Sequence, residues 1–251
     1  MRSRRACPFL VAAALLLGLA AGADAQMFRY MAFGDSITRG NSTFDPTGLG
    51  GYPGRLPDLI DCALPDCEVV NEGLDGEATG PAVTRIGGLL DGDDWDVVLL
   101  MEGTNDIFVG ISNNTIEANL GFMDDAARDH GVDTLHASII HLDPGSSAGG
   151  NSNKVNAVAN MRIRVMDMAT ERNRFFADPW TPLCPNQTCF NQHYHNPPGA
   201  VGHPDPSGFD ILATVFKNSI RSRPVPGFVT AVSPTGTIDD PDPTYIWNKE
   251  R

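Results

Sequence analysis

The chain has 251 residues, a formal net charge of −13 at pH 7 and a hydrophobic fraction of 41%. A chain this acidic repels phosphate backbones, which argues against nucleic acid as a partner. Its length is enough for one domain with a sizeable core, so we expect a globular monomer.

The first residues have the pattern of a secretory signal peptide. Three arginines within the first five residues precede an almost unbroken apolar run over 9–21, and Ala23-Asp24-Ala25 supplies the small-x-small pattern of a cleavage site. The alternative is a membrane anchor, but the run is short for a span and no stop-transfer charge cluster follows it. We expect residues 1–25 to be cleaved off, the mature protein to be secreted, and no membrane partner.

From Arg29 to Arg223, short β-rich runs alternate with longer helical patterns. The predicted strands cover 30–33, 68–71, 96–101, 134–141 and 174–177. The predicted helices cover 52–62, 81–90, 115–130, 153–172 and 207–221. The run Val97–Met101 is apolar at every position, which suits a strand covered on both faces of a parallel sheet. The alternation predicts a three-layer α/β/α sandwich around a mostly parallel five-stranded sheet, which binds ligands at the carboxyl ends of its strands.

Two segments fall outside this alternation. Residues 178–205 are rich in Pro, Asn and His and predict a long functional loop. After Arg223 the chain becomes Pro-rich, and the segments 231–238 and 243–248 resemble the first strands of immunoglobulin-like or fibronectin-III-like modules. Two strands are too few for a stable sandwich, so a longer natural chain, a tail that packs on the domain and a disordered tail all stay open. We therefore predict a signal peptide over 1–25, a domain over 26–223, and a linker with a partial module or tail over 224–251.

Four cysteines follow the predicted leader as two local pairs, Cys62 with Cys67 and Cys184 with Cys189. Four cysteines allow three connectivities. The exported context favours disulfides, and the matched spacing favours the two local pairs. Zinc is the rival interpretation, but two widely separated C-x4-C pairs lack the usual C-x2-C spacing.

Ser36 follows a β-run and a Gly-Asp turn, within the stretch from Phe33 to Thr38. This position places a hydroxyl at the carboxyl edge of a strand, where it can face a cleft. Serine after Gly-Asp is also a common turn or helix N-cap, and the G-x-S-x-G elbow of α/β-hydrolases is absent.

Glycines and a carboxamide follow the next two predicted strands. Gly76, with Gly73 as the second choice, could offer a backbone N–H to a developing oxyanion, because glycine allows close approach. Asn105, at the end of the third predicted strand, could donate a side-chain N–H to the same oxyanion. The alternatives are a plain strand-to-helix turn and a helix cap at Asn105 or Asp106.

His203 lies just before the last predicted helix, where an imidazole could reach a serine at the sheet edge and accept its proton. A lone loop histidine is more often simply solvated. Together with His193 and His195 it could also bind zinc or nickel, but no clear carboxylate or cysteine completes that set. We expect no metal and no other cofactor.

Taken in order, these four segments resemble the blocks of the SGNH (GDSL-type) hydrolase family over roughly residues 30–221. The matching residues are Ser36 in Gly-Asp-Ser-Ile, Gly76 in Asn-x-Gly-x-x-Gly, Asn105 in Gly-Thr-Asn-Asp, and His203 before Pro204. The resemblance implies the flavodoxin-like fold of that family, with Ser36 as nucleophile and His203 as general base. It also implies an oxyanion hole made by the Ser36 N–H, the Gly76 N–H and the Asn105 side chain.

The sequence departs from the family at one position. The family usually has Asp three residues before the histidine, and here that residue is Ala200. Asp178 or Asp205 could act as the acid instead, or a backbone carbonyl could orient the ring. The resemblance implies a serine esterase that acts on carboxylic esters. The predicted secretion, the Gly-Asp-Ser-Ile-Thr opening and the possible β-module at the end of the chain suggest deacetylation of polysaccharides. A short-chain lipid or aryl esterase and a non-catalytic glycan-binding protein on the same fold are the alternatives.

Overall fold

The computed structural model describes residues 27–142, 152–183, 187–194 and 202–221. The predictions for the signal peptide, the Cys184–Cys189 pair, His195, Ala200 and the tail over 224–251 lie outside the described residues. No helix within those ranges is long and apolar enough to cross a bilayer.

Five parallel strands form one sheet in the order β2-β1-β3-β4-β5. They are β1 (Phe28–Gly34), β2 (Cys67–Gly73), β3 (Val97–Met101), β4 (Asp133–Ala137) and β5 (Phe175–Ala177). All five predicted strands and the parallel sheet are confirmed, but β4 was predicted to continue to residue 141. It ends at Ala137 because its edge partner β5 has three residues, and the ladder stops at the pair of Ala137 with Ala177.

Eight helices accompany the sheet in the described ranges: α1 (Ser36–Arg39), α2 (Leu56–Leu59), α3 (Thr79–Gly92), α4 (Thr104–Val109), α5 (Asn113–Asp129), α6 (Ser152–Glu171), α7 (Gln187–His193) and α8 (Pro206–Arg221). The four long helices α3, α5, α6 and α8 confirm the predictions. The predicted end of α5 is also confirmed, since Gly131 after it has a left-handed φ of 73°.

The shorter helices correct the sequence predictions. The helix predicted over 52–62 is only the single turn α2. Proline is tolerated in the first turn of a helix but not in its interior, so a helix that contains Pro57 begins close to it. Asp61, with a left-handed φ of 56°, then stops the helix from continuing. The loop predicted over 178–205 contains α7, and the predicted helices include neither α1 nor α4.

Apolar side chains alternate between the two faces of the sheet, as the two-residue period of a strand requires. Tyr30 and Ala32 of β1 belong to a cluster with Leu56 of α2 and residues of α8. The next residues along β1, Met31 and Phe33, pack on the opposite face with residues of α3, α5 and α6. The sheet is therefore covered on both sides, and the predicted three-layer sandwich is confirmed.

Cys62 and Cys67 form a disulfide, with their Cα atoms 4.9 Å apart. It joins the turn after α2 to the first residue of β2. The predicted local pairing is confirmed here, so zinc is not the partner of these two thiols.

Candidate active site

Ser36 lies where the interior strand β1, which is paired with β2 and β3, leads into the short helix α1. The Asp35 side chain accepts a hydrogen bond of 2.8 Å from the Ile37 N–H and so caps that helix. Gly34 has to be glycine, because a Cβ there would lie 2.2 Å from the Thr38 hydroxyl oxygen. The cap position that the sequence also allowed for Ser36 is therefore filled by Asp35, and the Ser36 hydroxyl is left for another partner.

That partner is His203, whose Nε2 lies 2.8 Å from the Ser36 Oγ. His203 is fixed in a loop between Tyr194 and α8, since the next residue, Pro204, forms an isolated antiparallel bridge with Tyr194. The structure thus brings together the two residues predicted as nucleophile and base, across 167 positions of sequence. This distance suits direct proton transfer from the hydroxyl to the imidazole.

A phenyl ring covers one face of this imidazole, which the sequence did not predict. The ring centroids of Phe44 and His203 are 3.7 Å apart, with an angle of 11° between the planes. Phe44 belongs to the loop between α1 and α2, where its sequence neighbours Ser42 and Thr43 are exposed, but its own side chain packs against the core. Nothing in the local sequence distinguishes it from any other loop aromatic.

An ion pair anchors the loop that carries Phe44. Asp45 is fully buried, and two nitrogens of Arg55 donate to its carboxylate, at 2.5 Å from Nη1 and 3.0 Å from Nη2. The third guanidinium nitrogen of Arg55 donates to Asp210 of α8 at 2.6 Å. Burial alone would raise the pKa of Asp45, but the hydrogen bonds from Arg55, Thr47 and Gly51 outweigh it and lower that pKa to about 2.

The two candidate glycines have different structural roles. A Cβ on Gly73 would lie 2.2 Å from the Arg39 backbone nitrogen, so glycine is needed there for β2 to pack against α1. Gly76 has a left-handed φ of 73°, and a Cβ there would meet no atom within 4 Å. The Leu74 N–H donates to the Gly34 carbonyl at 2.9 Å and ties the loop before Gly76 to the end of β1. Of the two candidates, Gly76 is therefore the one with open space beside its Cα, where a ligand could approach the backbone.

Asn105 lies in the first turn of α4 rather than at the end of β3. Its Nδ2 donates to the Glu77 carbonyl at 2.7 Å and to Asp35 Oδ2 at 3.4 Å. The carboxamide is thus beside the residue that precedes Ser36. Because the contact with Asp35 is long for a hydrogen bond, the N–H involved is available for a closer acceptor.

Four buried carboxyl groups lie close to these donors: Asp35, Glu77, Glu102 and Asp106. Arg85 pairs with Glu77, and Thr79 donates to Asp106 through its N–H and its hydroxyl. The sequence did not predict this cluster, because its members follow three different strands: Asp35 after β1, Glu77 after β2, and Glu102 and Asp106 after β3.

Burial changes the protonation of two carboxyl groups in this cluster. It raises the pKa of Asp35 to about 7, with opposing hydrogen bonds from Ile37 and Thr104 and added repulsion from Glu77. It also raises the pKa of Glu102 well above its usual value, and the negative charges nearby add to the effect.

The structure gives both candidate acids partners other than His203. Asp178 accepts hydrogen bonds from Arg162, at 3.0 Å to Oδ1 and 3.2 Å to Oδ2. Asp205 accepts from the Gly208 N–H at 2.9 Å and from the Ser207 hydroxyl at 2.7 Å, and so caps α8.

The histidines do not converge on a common point in the described part of the chain. His193 Nδ1 lies 2.9 Å from the Ser207 hydroxyl, whereas His203 contacts Ser36. Among the residues that the structure describes, no three His, Cys, Asp or Glu side chains are grouped so that they could hold a metal ion.

Residues 32–211 match the GDSL-like lipase/acylhydrolase family. An arylesterase from Vibrio mimicus is 28% identical over 130 residues, which is 52% of this chain and 63% of the arylesterase. The match therefore spans less than two thirds of that relative's length.

Solved structures share the fold at low sequence identity. A member of the lipolytic G-D-S-L family from Veillonella parvula superimposes with a TM-score of 0.62 at 20% identity, over 78% of this chain and 100% of its own. A carbohydrate acetylesterase family member from Sinorhizobium meliloti gives 0.61 at 19% identity, over 78% and 98%. An acetylxylan esterase from Geobacillus stearothermophilus gives 0.61 at 19% identity, over 78% and 96%.

Proposed function

The chain belongs to the GDSL-like lipase/acylhydrolase family, and from this we propose that it is a serine esterase that hydrolyses carboxylic esters. The observation that carries the proposal is the 2.8 Å contact between Ser36 Oγ and His203 Nε2. A hydroxyl in hydrogen-bond contact with an imidazole, at the carboxyl edge of a parallel sheet, is the arrangement that nucleophilic acyl transfer needs.

The proposed reaction has two steps. Ser36 Oγ attacks the ester carbonyl carbon while His203 Nε2 accepts the hydroxyl proton. The tetrahedral intermediate collapses, and the leaving alcohol takes that proton from His203. Water then attacks the acyl carbon while His203 Nε2 accepts one of its protons. When the second tetrahedral intermediate collapses, the bond from the acyl carbon to Ser36 Oγ breaks, His203 returns the proton to Oγ, and the acid is released.

We assign the oxyanion hole to the N–H groups of Ser36 and Gly76 and to the Asn105 carboxamide. Open space at Gly76 and the position of Asn105 beside Asp35 support this assignment. Donors placed in advance around the developing charge lower the barrier because they need no reorganisation during the reaction.

For the substrate we propose acetyl esters of polysaccharides, acted on outside the cell after removal of residues 1–25. The shared fold with a carbohydrate acetylesterase family member and an acetylxylan esterase supports this choice. Aryl esters are the second candidate, because the Vibrio mimicus relative is an arylesterase.

The test combines a fluorophosphonate probe with hydrolysis of p-nitrophenyl acetate. We expect the probe to label Ser36 and the variant Ser36→Ala to lose both labelling and turnover. Ser219→Ala is the control and should keep both labelling and turnover. Ser219 lies near the C-terminal end of α8, away from the end that adjoins His203. Labelling that persists in Ser36→Ala would refute the nucleophile assignment.

The substrate class is tested by release of acetate from acetylated xylan, compared with release of phenol from phenyl acetate. A higher kcat/KM on the xylan supports the polysaccharide proposal, and a higher value on phenyl acetate favours the aryl esterase. Absence of turnover on every ester, with retained binding to glycans, would favour the non-catalytic glycan-binding protein.

A further inference from the structure

The phenyl ring of Phe44 is stacked on the imidazole that the proposed reaction charges. At a centroid distance of 3.7 Å and an angle of 11°, the rings are parallel and in contact. The face of an aromatic ring carries partial negative charge, and a cation within about 6 Å of its centroid is attracted to it. A neutral imidazole gains less from such a contact than the imidazolium that forms when a serine hydroxyl gives up its proton to the ring.

The loop that carries Phe44 is shaped by a local turn and anchored by Arg55. In the turn, the Asn41 carbonyl accepts from the N–H of Phe44 at 3.0 Å and from that of Asp45 at 2.8 Å. Arg55 then connects Asp45 to Asp210, which lies on the helix that begins just after His203. The two stacked rings are therefore carried by segments that the same guanidinium ties together.

We propose that Phe44 is a positioning residue of the reaction, whose ring face fixes the plane of His203 and stabilises its imidazolium form. The proposal rests on the esterase function proposed above. It assigns to an aromatic face part of the task that a carboxylate performs in a Ser-His-Asp triad, namely orienting the ring and stabilising its charge.

The first test is the variant Phe44→Leu, which keeps an apolar side chain and removes the aromatic face. We expect kcat on p-nitrophenyl acetate to fall by about 3- to 30-fold, the range that corresponds to losing one cation–π contact, with KM changed by less than about twofold. Phe44→Trp should retain most of the rate. Phe28→Leu, a loss of a partly buried aromatic at the opposite end of β1, is the matched control and should leave kcat unchanged. An equal fall in Phe44→Leu and Phe44→Trp would overturn the proposal.

A fluorinated series separates charge stabilisation from packing. Phenylalanine with one, two or three ring fluorines has nearly the same shape at position 44, but the negative charge on its face decreases stepwise. We expect log kcat to fall with each added fluorine. A flat series would overturn the electrostatic part of the proposal, even if Phe44→Leu does not fold.

A third measurement does not depend on turnover. NMR titration of the His203 ring nitrogens should show a midpoint that moves to lower pH as fluorines are added, by about half to one and a half pH units over the full loss of the contact. Three charged residues lie next to the groups that contact the His203 ring: Asp35 precedes Ser36, Asp45 follows Phe44, and Asp205 lies two residues after His203. The fluorinated series changes none of them. If the wild type hydrolyses no ester, the proposed function fails, yet an unchanged midpoint would still refute the role of Phe44 and a shifted one would support it.

Discussion

Asp35 is a buried carboxyl group that directly precedes the proposed nucleophile and contacts the proposed oxyanion donor. An ionised carboxylate at this point would oppose the negative charge that develops on the substrate. Burial raises the pKa of Asp35 to about 7, so that near neutral pH a substantial fraction of this group is uncharged. The neutral form also accepts a weaker hydrogen bond from Asn105, which favours turning that N–H towards the oxyanion.

The role of Asn105 can be tested by Asn105→Ala. We expect kcat to fall by about 10²- to 10³-fold with little change in KM, because an oxyanion donor acts chiefly in the transition state. Steady-state kinetics on p-nitrophenyl acetate measures both constants. Asn113→Ala is the control and should retain kcat. It removes a carboxamide at the start of α5 that donates to the Ala157 carbonyl of α6. An unchanged kcat with a raised KM in Asn105→Ala would contradict the assignment.

Among the secondary structure elements, the loop between α1 and α2 contains a buried ion pair that anchors it. Nearly all of its polar residues face solvent, whereas Asp45 and Arg55 are buried and bind each other through two hydrogen bonds. A buried carboxylate that loses the guanidinium paired with it is costly, because an uncompensated charge is then left in the protein interior.

We therefore predict that Arg55→Ala lowers the free energy of unfolding by about 3–5 kcal/mol. Urea denaturation at pH 7 measures this change. Arg221→Ala is the matched control, because Arg221 and its partner Asp61 are both largely exposed, and its effect should stay below about 1 kcal/mol. Equal losses in the two variants would show that the pair does not anchor the loop.

The stabilisation by the Asp45–Arg55 pair also depends on pH. Since the folded pKa of Asp45 is about 2 and the usual value is 3.8, this stabilisation is present above pH 4 and is lost as the pH falls towards 2.

The sequence predicts the elements that have a hydrophobic period and misses those that are set by local turns and caps. The strands and long helices follow from hydrophobic periodicity, and the ordered blocks around Ser36 and His203 identify the pair that the structure brings into contact. The short helices α1, α2, α4 and α7 are set by single turns, caps and neighbouring strands, which leave no periodic signal. Phe44 and Arg55 belong to the site through tertiary contacts alone, so their types and spacing could not identify them.

At the scale of the whole molecule, the charge is strongly negative and part of it is buried. The formal net charge of −13 counts every carboxyl group as ionised, but the pKa of Glu102 is raised by burial and by neighbouring carboxylates. A carboxyl whose pKa is higher in the folded state binds more protons there than in the unfolded chain. Its contribution to stability is fully present below the usual pKa of a glutamate and is lost as the pH rises through the folded value.

Glu102→Gln removes this ionisation with little change in shape. We predict that the fall in melting temperature between pH 5 and pH 8 becomes shallower than in the wild type, so that the variant gains most at pH 8. Differential scanning calorimetry across this range measures the two slopes. Glu171→Gln changes an exposed glutamate at the end of α6 and should reproduce the wild-type slope. Parallel curves for Glu102→Gln and the wild type would contradict the prediction.

The 167 positions between Ser36 and His203 have a consequence for how the protein acquires its activity during synthesis. The chain leaves the ribosome with its N-terminal segments first, so Ser36 and the proposed oxyanion donors emerge well before His203 and α8. Until α8 packs on the sheet, the serine has no base within reach, and the nascent enzyme is inert towards esters. In a refolding experiment, product formation would therefore report the docking of α8, and circular dichroism would report the formation of strands and helices.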